Sequence, residues 1–99
     1  MTEKTDCRTP NPDRPGVTRI PTWKYDLVRS AILEALRSAG EDGLTLSELR
    51  DDLRDRIAAE DVLRLGSLSW HMTTVKLNME VLGDFGRVKN SSPQRVTLR

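Results

Sequence analysis

Thr45 and Glu48 stand three residues apart in the segment Leu44-Thr45-Leu46-Ser47-Glu48-Leu49. At that spacing a threonine hydroxyl accepts from the backbone N–H of the glutamate, whose carboxylate reaches back to the threonine's own N–H. Leu44 and Leu49 flank the pair as the two halves of a hydrophobic staple. A helix therefore starts here, and the rest of the chain is arranged around it. Leu46, Leu49, Leu53 and Ile57 predict its buried stripe, while Arg50, Asp51, Asp52, Arg54, Asp55 and Arg56 alternate in sign on a solvated face. Residues 58–65 either extend this helix or form a separate turn of helix before Gly66.

Upstream, Thr22 can cap a helix that begins at Trp23 and buries Val28, Ala31, Ile32, Ala35, Leu36 and Ala39 before Gly40 ends it. Downstream, Leu68, Met72, Val75, Met79 and Leu82 recur at helical spacing, and Gly83 closes that third helix. The period then changes. Phe85 to Lys89 and Arg95 to Arg99 are extended segments separated by Asn90-Ser91-Ser92-Pro93-Gln94, a hairpin in which Val96 and Leu98 alternate with polar residues.

A chain of 99 residues supports one modest core, so a single folded unit is expected over residues 23–99. Residues 1–22 hold four of the five prolines and show no apolar period, which reads as an extended or flexible arm without regular structure of its own. Val17 and Ile20 are its sticky residues before Trp23. The single Cys7 has no partner within the chain, so no internal disulfide forms, and intermolecular oxidation is its expected chemistry. The polar start lacks the apolar stretch of a secretion signal and no run is long enough to cross a bilayer, so a cytoplasmic chain without a membrane partner is expected. Net charge is +1 but uneven: +2 over residues 1–24, −5 over 25–84 and +4 over 85–99.

Three helices, a short extended piece at Leu44 and a closing hairpin follow the order of a winged helix-turn-helix domain, mainly α with a three-helix core and a C-terminal wing. The run from Met79 through Gly83 and Phe85 to Val88 resembles the passage from recognition helix to wing in many bacterial regulators. More narrowly, residues 25–33, Gly66-Ser67-Leu68-Ser69-Trp70, residues 73–77 and Ser92-Pro93-Gln94-Arg95 resemble a group of small stand-alone bacterial winged-helix proteins of unassigned function. The resemblance implies a fold and supplies no activity.

Double-stranded DNA is the partner such a fold would take, in the manner of a transcription regulator. Arg87, Lys89, Gln94 and Arg95, with Arg99, form a basic wing unopposed by acid, and Ser69, Thr73, Thr74 and Lys76 are the contact candidates on the third helix. Lys76 is the only permanent cation there, and Glu80 and Asp84 would face a phosphate backbone unfavourably. The same residues also fit the solvated side of a core helix. Measured from the core stripe, Trp70, Leu77 and Val81 project at about 200°, 180° and 220°, so this helix is apolar on both sides.

That second face needs a cover. The arm through Val17, Ile20 and Trp23, a second copy in a homodimer, DNA methyl groups, and the chain's own neighbouring elements all remain open. Trp70, Leu77, Val81 and Ile20 are accordingly the candidate protein-interface residues, and an interaction or dimerisation module that does not bind DNA is the rival function. No catalytic residue, cofactor or metal site is expected: His71 is the lone histidine and is read as structural, and Asp84-Phe85-Gly86 is a turn with a buried Phe85.

Overall fold

Residues 4–8 and 17–21 do not hang free. In the computed structural model, which describes residues 3–9, 16–88 and 94–98, β1 (Lys4–Arg8) and β2 (Val17–Pro21) pair antiparallel, with Cys7 opposite Thr18 and Thr5 opposite Ile20. The arm expected to lack regular structure is thus a hairpin. Each strand turns one residue fully inward, Cys7 and Ile20, and both join the core. With so few apolar positions in a polar context, alternation was too sparse to register as a period.

Helix α1 (Thr22–Ala39) follows directly, with Pro21 in the capping position and no side-chain cap. Thr22, expected to cap, is the first helical residue. Its N–H donates to the Glu3 carbonyl (2.8 Å) and its hydroxyl lies 2.9 Å from that of Thr5, so it ties the helix to the hairpin instead. The helix buries Tyr25, Val28, Ala31, Ile32, Ala35 and Leu36, and the N–H of Gly40 closes it on the Leu36 carbonyl.

A short 3-10 turn (Gly40–Asp42) leads through Gly43 to β3 (Leu44–Thr45). Gly43 has φ +65°, and a Cβ there would strike the Val96 carbonyl, so both conformation and space demand glycine. Helix α2 (Leu46–Arg56) then starts on the expected capping box: Thr45 Oγ1 accepts from the Glu48 N–H at 3.1 Å and Glu48 Oε1 accepts from the Thr45 N–H at 2.9 Å. Leu49, Leu53 and Ile57 are buried as expected, but Leu46 is exposed. It is the first residue of the helix.

Residues 58–65 form a separate helix, α3 (Ala59–Leu65), which packs Leu65 into the core and leaves Leu63 in solvent. Helix α4 (Leu68–Leu82) crosses α1 as the second pillar of the core. The chain closes with β4 (Phe85–Arg87) and β5 (Arg95–Leu98), paired antiparallel with Phe85 opposite Leu98 and Arg87 opposite Val96. β5 is central in a three-stranded sheet, since β3 pairs along its other edge with Leu44 opposite Val96. The protein is therefore mainly helical with two small antiparallel sheets, and no helix among the described residues is long and apolar enough to cross a membrane.

Candidate functional site

Helix α4 begins where Ser67 Oγ accepts from the Trp70 N–H at 3.1 Å, and ends at Gly83, whose left-handed φ of +79° returns its N–H to the last carbonyls. Leu68, Met72, Val75 and Met79 fill the core as the spacing predicts. Leu82, expected to complete that stripe, is 62% exposed. It is the last residue before the Gly83 turn, and Phe85 beyond the turn is buried in the core.

Three polar side chains of α4 are buried as well, and each has a structural partner. His71 donates from Nδ1 to the Ser67 carbonyl (2.6 Å) and meets the Trp70 ring edge-on with centroids 4.8 Å apart. Asn78 donates to the Tyr25 hydroxyl (2.8 Å) and accepts from the Arg8 N–H (2.9 Å), bridging the helical body and the hairpin. Lys76 donates from Nζ to Glu80 Oε1 at 3.1 Å, with only 8% and 10% of the two side chains exposed.

The Lys76 pair corrects an expectation. Offered by the sequence as the cation of α4 that would meet phosphate, Lys76 has its stem folded against the protein and its charge bound by a carboxylate one turn along. Asp84 is likewise held by Arg29 Nη2 at 3.2 Å. Lys76, Glu80 and Asp84 are thus each paired within the chain.

The remaining surface of α4 is uncharged. Ser69 and Thr73 are exposed, Trp70 and Val81 are 47% and 43% exposed, and Thr74 and Leu77 are half-buried beside the hairpin. Among the described residues, the hairpin flanks this face and does not close it. Between the two lies an open cavity of about 540 Å³ bordered by Cys7, Arg8, Thr18, Thr74 and Leu77. Of the arm residues expected to cover the face, Ile20 is buried in the chain's own core and is no interface residue in this fold, Val17 is exposed, and Trp23 is stacked by the Arg64 guanidinium of α3 at 4.6 Å. Cys7, for which intermolecular oxidation was expected, is buried, and that burial, reinforced by Asp6, pushes its thiol pKa up.

The C-terminal strands place their candidates unevenly. Arg95 Nη1 donates to Glu48 Oε1 (3.3 Å) and to the Gly43 carbonyl (3.3 Å), so the strand pair expected to be unopposed by acid is opposed by α2 at that point. The pKa of the same Glu48 carboxylate is lowered from its usual value, chiefly by the Thr45 N–H and hydroxyl. Arg87 pairs through its backbone with Val96, and the Val88 N–H donates to the Arg95 carbonyl at 2.8 Å. Gln94 is exposed, while Lys89 and Arg99 lie outside the described residues.

Sequence reasoning missed the Asn78 bridge, because a polar residue on the core side of a helix carries no signal of which hydroxyl it will meet. It also missed the Lys76–Glu80 pair as a buried feature, although the i, i+4 spacing was there to be read. The family model described as a family of unknown function (DUF6958) matches residues 4–96. No curated protein and no solved structure matches the chain.

Proposed function

The chain belongs to this family of unknown function, and from its own residues we propose that it is a non-catalytic protein-interaction module of winged-helix topology whose contact surface is the uncharged face of α4. The winged-helix reading is supported by the order α1, β3, α2 and α3, α4, β4, β5, with β5 lying between β3 and β4. Helix α4 occupies the place of a recognition helix in that order.

One observation carries the function: Lys76 is turned in and bound to Glu80, while Trp70 and Val81 are turned out. A helix that meets DNA presents cations and amides to phosphates and base edges. Here Asn78 and Lys76 are both committed internally. What α4 offers outward is an aromatic ring, two aliphatic side chains and hydroxyls, the composition of a protein contact with an uncharged apolar surface.

Titration with mixed-sequence duplex DNA, followed by NMR at low salt, tests this. The reading predicts that the signals of Ser69, Trp70 and Thr73 stay in place. Salt-sensitive shifts at those three residues would overturn it and return α4 to the role of recognition helix.

A second reading has its own support, the run from Phe85 to Arg99 with four cations and no acid. In it the C-terminal strands contact DNA as a wing while α4 contacts protein. Shifts confined to residues 85–98 in the same titration would favour it.

A further inference from the structure

We propose that β2 is an acceptor edge, to which an extended acidic segment of another protein adds antiparallel as a third strand beside β1 and β2. This surface is separate from α4, so the inference stands or falls independently of the α4 reading. Two observed bonds fix which way the backbone of β2 points. The Thr22 N–H donates to the Glu3 carbonyl at 2.8 Å, and these two residues continue the register that pairs Lys4 with Pro21 and Arg8 with Val17. In an antiparallel pair, mutually bonded residues alternate with residues whose backbone groups point away from the partner strand. Thr5–Ile20 and Cys7–Thr18 are therefore the bonded pairs, and Val17 and Arg19 turn their N–H and C=O outward, away from β1. The far edge of β1 obeys the same parity: the N–H of Arg8, which stands opposite Val17, leaves the hairpin and is taken by Asn78 Oδ1 at 2.9 Å.

β1 is thus backed by α4, and β2 is the outer strand. Among the described residues no strand pairs along its other side, and no hydrogen bond reaches the backbone of Val17 or Arg19. Val17, Thr18 and Arg19 are all exposed. Outward main-chain donors and acceptors on an open edge are the groups that strand addition uses.

Charge selects the occupant. Lys4, Asp6, Arg8, Val17 and Arg19 share one face of the hairpin and are exposed, three cations against one carboxylate. A second copy of this hairpin would bring the same excess of positive charge alongside, which is unfavourable, whereas a segment carrying carboxylates is attracted. Arg19 Nε already lies 3.1 Å from Asp6 Oδ1, but with 71% and 50% of the two side chains exposed that pair is weak, and the guanidinium can turn to a new carboxylate. The residue opposite Arg19 in an antiparallel added strand takes both of its backbone bonds and sets its side chain on the same face as the guanidinium. An aspartate or glutamate at that position is the specific element of the partner.

The test is an NMR titration of the full chain with a capped peptide as long as β2, valine and threonine alternating around a central glutamate, up to about 5 mM. The amide protons of Val17 and Arg19 should move downfield and gain protection from exchange, while those of Thr18 and Ile20, already bonded to β1, stay in place. A peptide with lysine at its centre should bind at least ~5-fold more weakly, and Arg19→Glu should reverse that preference. Methylation of the central peptide nitrogen, which removes the donor to the Arg19 carbonyl, should abolish binding.

No shift at Val17 and Arg19 at the highest concentration overturns β2 as an acceptor edge. Equal shifts along residues 17–20 mean adhesion without strand pairing and overturn it as well. Equal affinity for the glutamate and lysine peptides overturns the acidic partner. Shifts at Val17 and Arg19 that follow the concentration of the protein alone make a second copy the occupant and overturn the proposal. Should Arg19→Glu not fold, Arg19→Thr keeps the test open: it should erase the preference between the two peptides, and a preference that persists refutes the role of Arg19.

Discussion

Replacing Glu80 with Met should destabilise the protein, and replacing Lys76 and Glu80 together with Met should largely restore it. The two groups are 3.1 Å apart with 8% and 10% of their side chains exposed. Removing one member of a fully buried pair costs ~3–5 kcal/mol, because the survivor's charge is stranded, whereas removing both removes the desolvation with the attraction. The four-carbon stem of Lys76 allows its ammonium to swing toward water, which brings the single-variant cost to about 2–3 kcal/mol. Two methionines over the same surface should lie within about 1 kcal/mol of the wild type. Urea unfolding reads both values. A protein of this size loses roughly 1 kcal/mol of stability per molar urea, so the single variant should unfold about 2 M earlier. The reasoning would be refuted by a single variant within about 0.5 kcal/mol of the wild type. Such a pair is solvated, and Lys76 would then be free to meet a phosphate.

Four further outcomes are expected. Gly43→Ala should cost ~2–4 kcal/mol in the same assay, since alanine resists φ +65° and its methyl would strike the Val96 carbonyl; an unchanged midpoint would mean that β3 and β5 are not paired in solution. Thr45→Ala should cost ~1 kcal/mol through loss of the cap to the Glu48 N–H. The Glu48 carboxylate, lowered in the fold, contributes stability above its unfolded pKa that is lost as pH falls through the folded one; Glu48→Gln should flatten that acid limb of the stability curve, and an identical limb would show that the capping box does not titrate. Native Cys7 should react with a thiol reagent at least ~100-fold more slowly than in urea, and Asn78→Leu, which removes the acceptor of the Arg8 N–H, should accelerate it; a native rate equal to the unfolded one would show that the hairpin does not dock.

The parts of the fold legible in the sequence are those set by local chemistry. The capping box at Thr45 and Glu48, the apolar period from Leu68 to Met79 and the stop at Gly83 each depend on residues within a turn or two, and each is found in place. The N-terminal hairpin was hidden because Cys7 and Ile20 are the only fully inward residues of its two described strands, too few to make an alternation. Leu46 and Leu82 were assigned to core stripes by angle alone. Angle does not say how much of the fold surrounds a helix end, and both lie at helix ends.

The site followed the same division. That α4 carries a second apolar face was readable from the positions of Trp70, Leu77 and Val81, and the structure leaves Trp70 and Val81 open to solvent. Which polar residues on α4 are available was not readable. Lys76, Asn78 and Arg95 have the composition of a nucleic-acid contact, yet their partners Glu80, Tyr25 and Glu48 are set by tertiary placement. Exposure of a charge is a property of its neighbours, not of its own position in a period.

Paramagnetic broadening of the Trp70 indole N–H by a soluble gadolinium chelate tests the central claim most directly. Broadening of that proton should be unchanged by duplex DNA at low salt. Protection conferred by DNA and removed by salt would contradict the account.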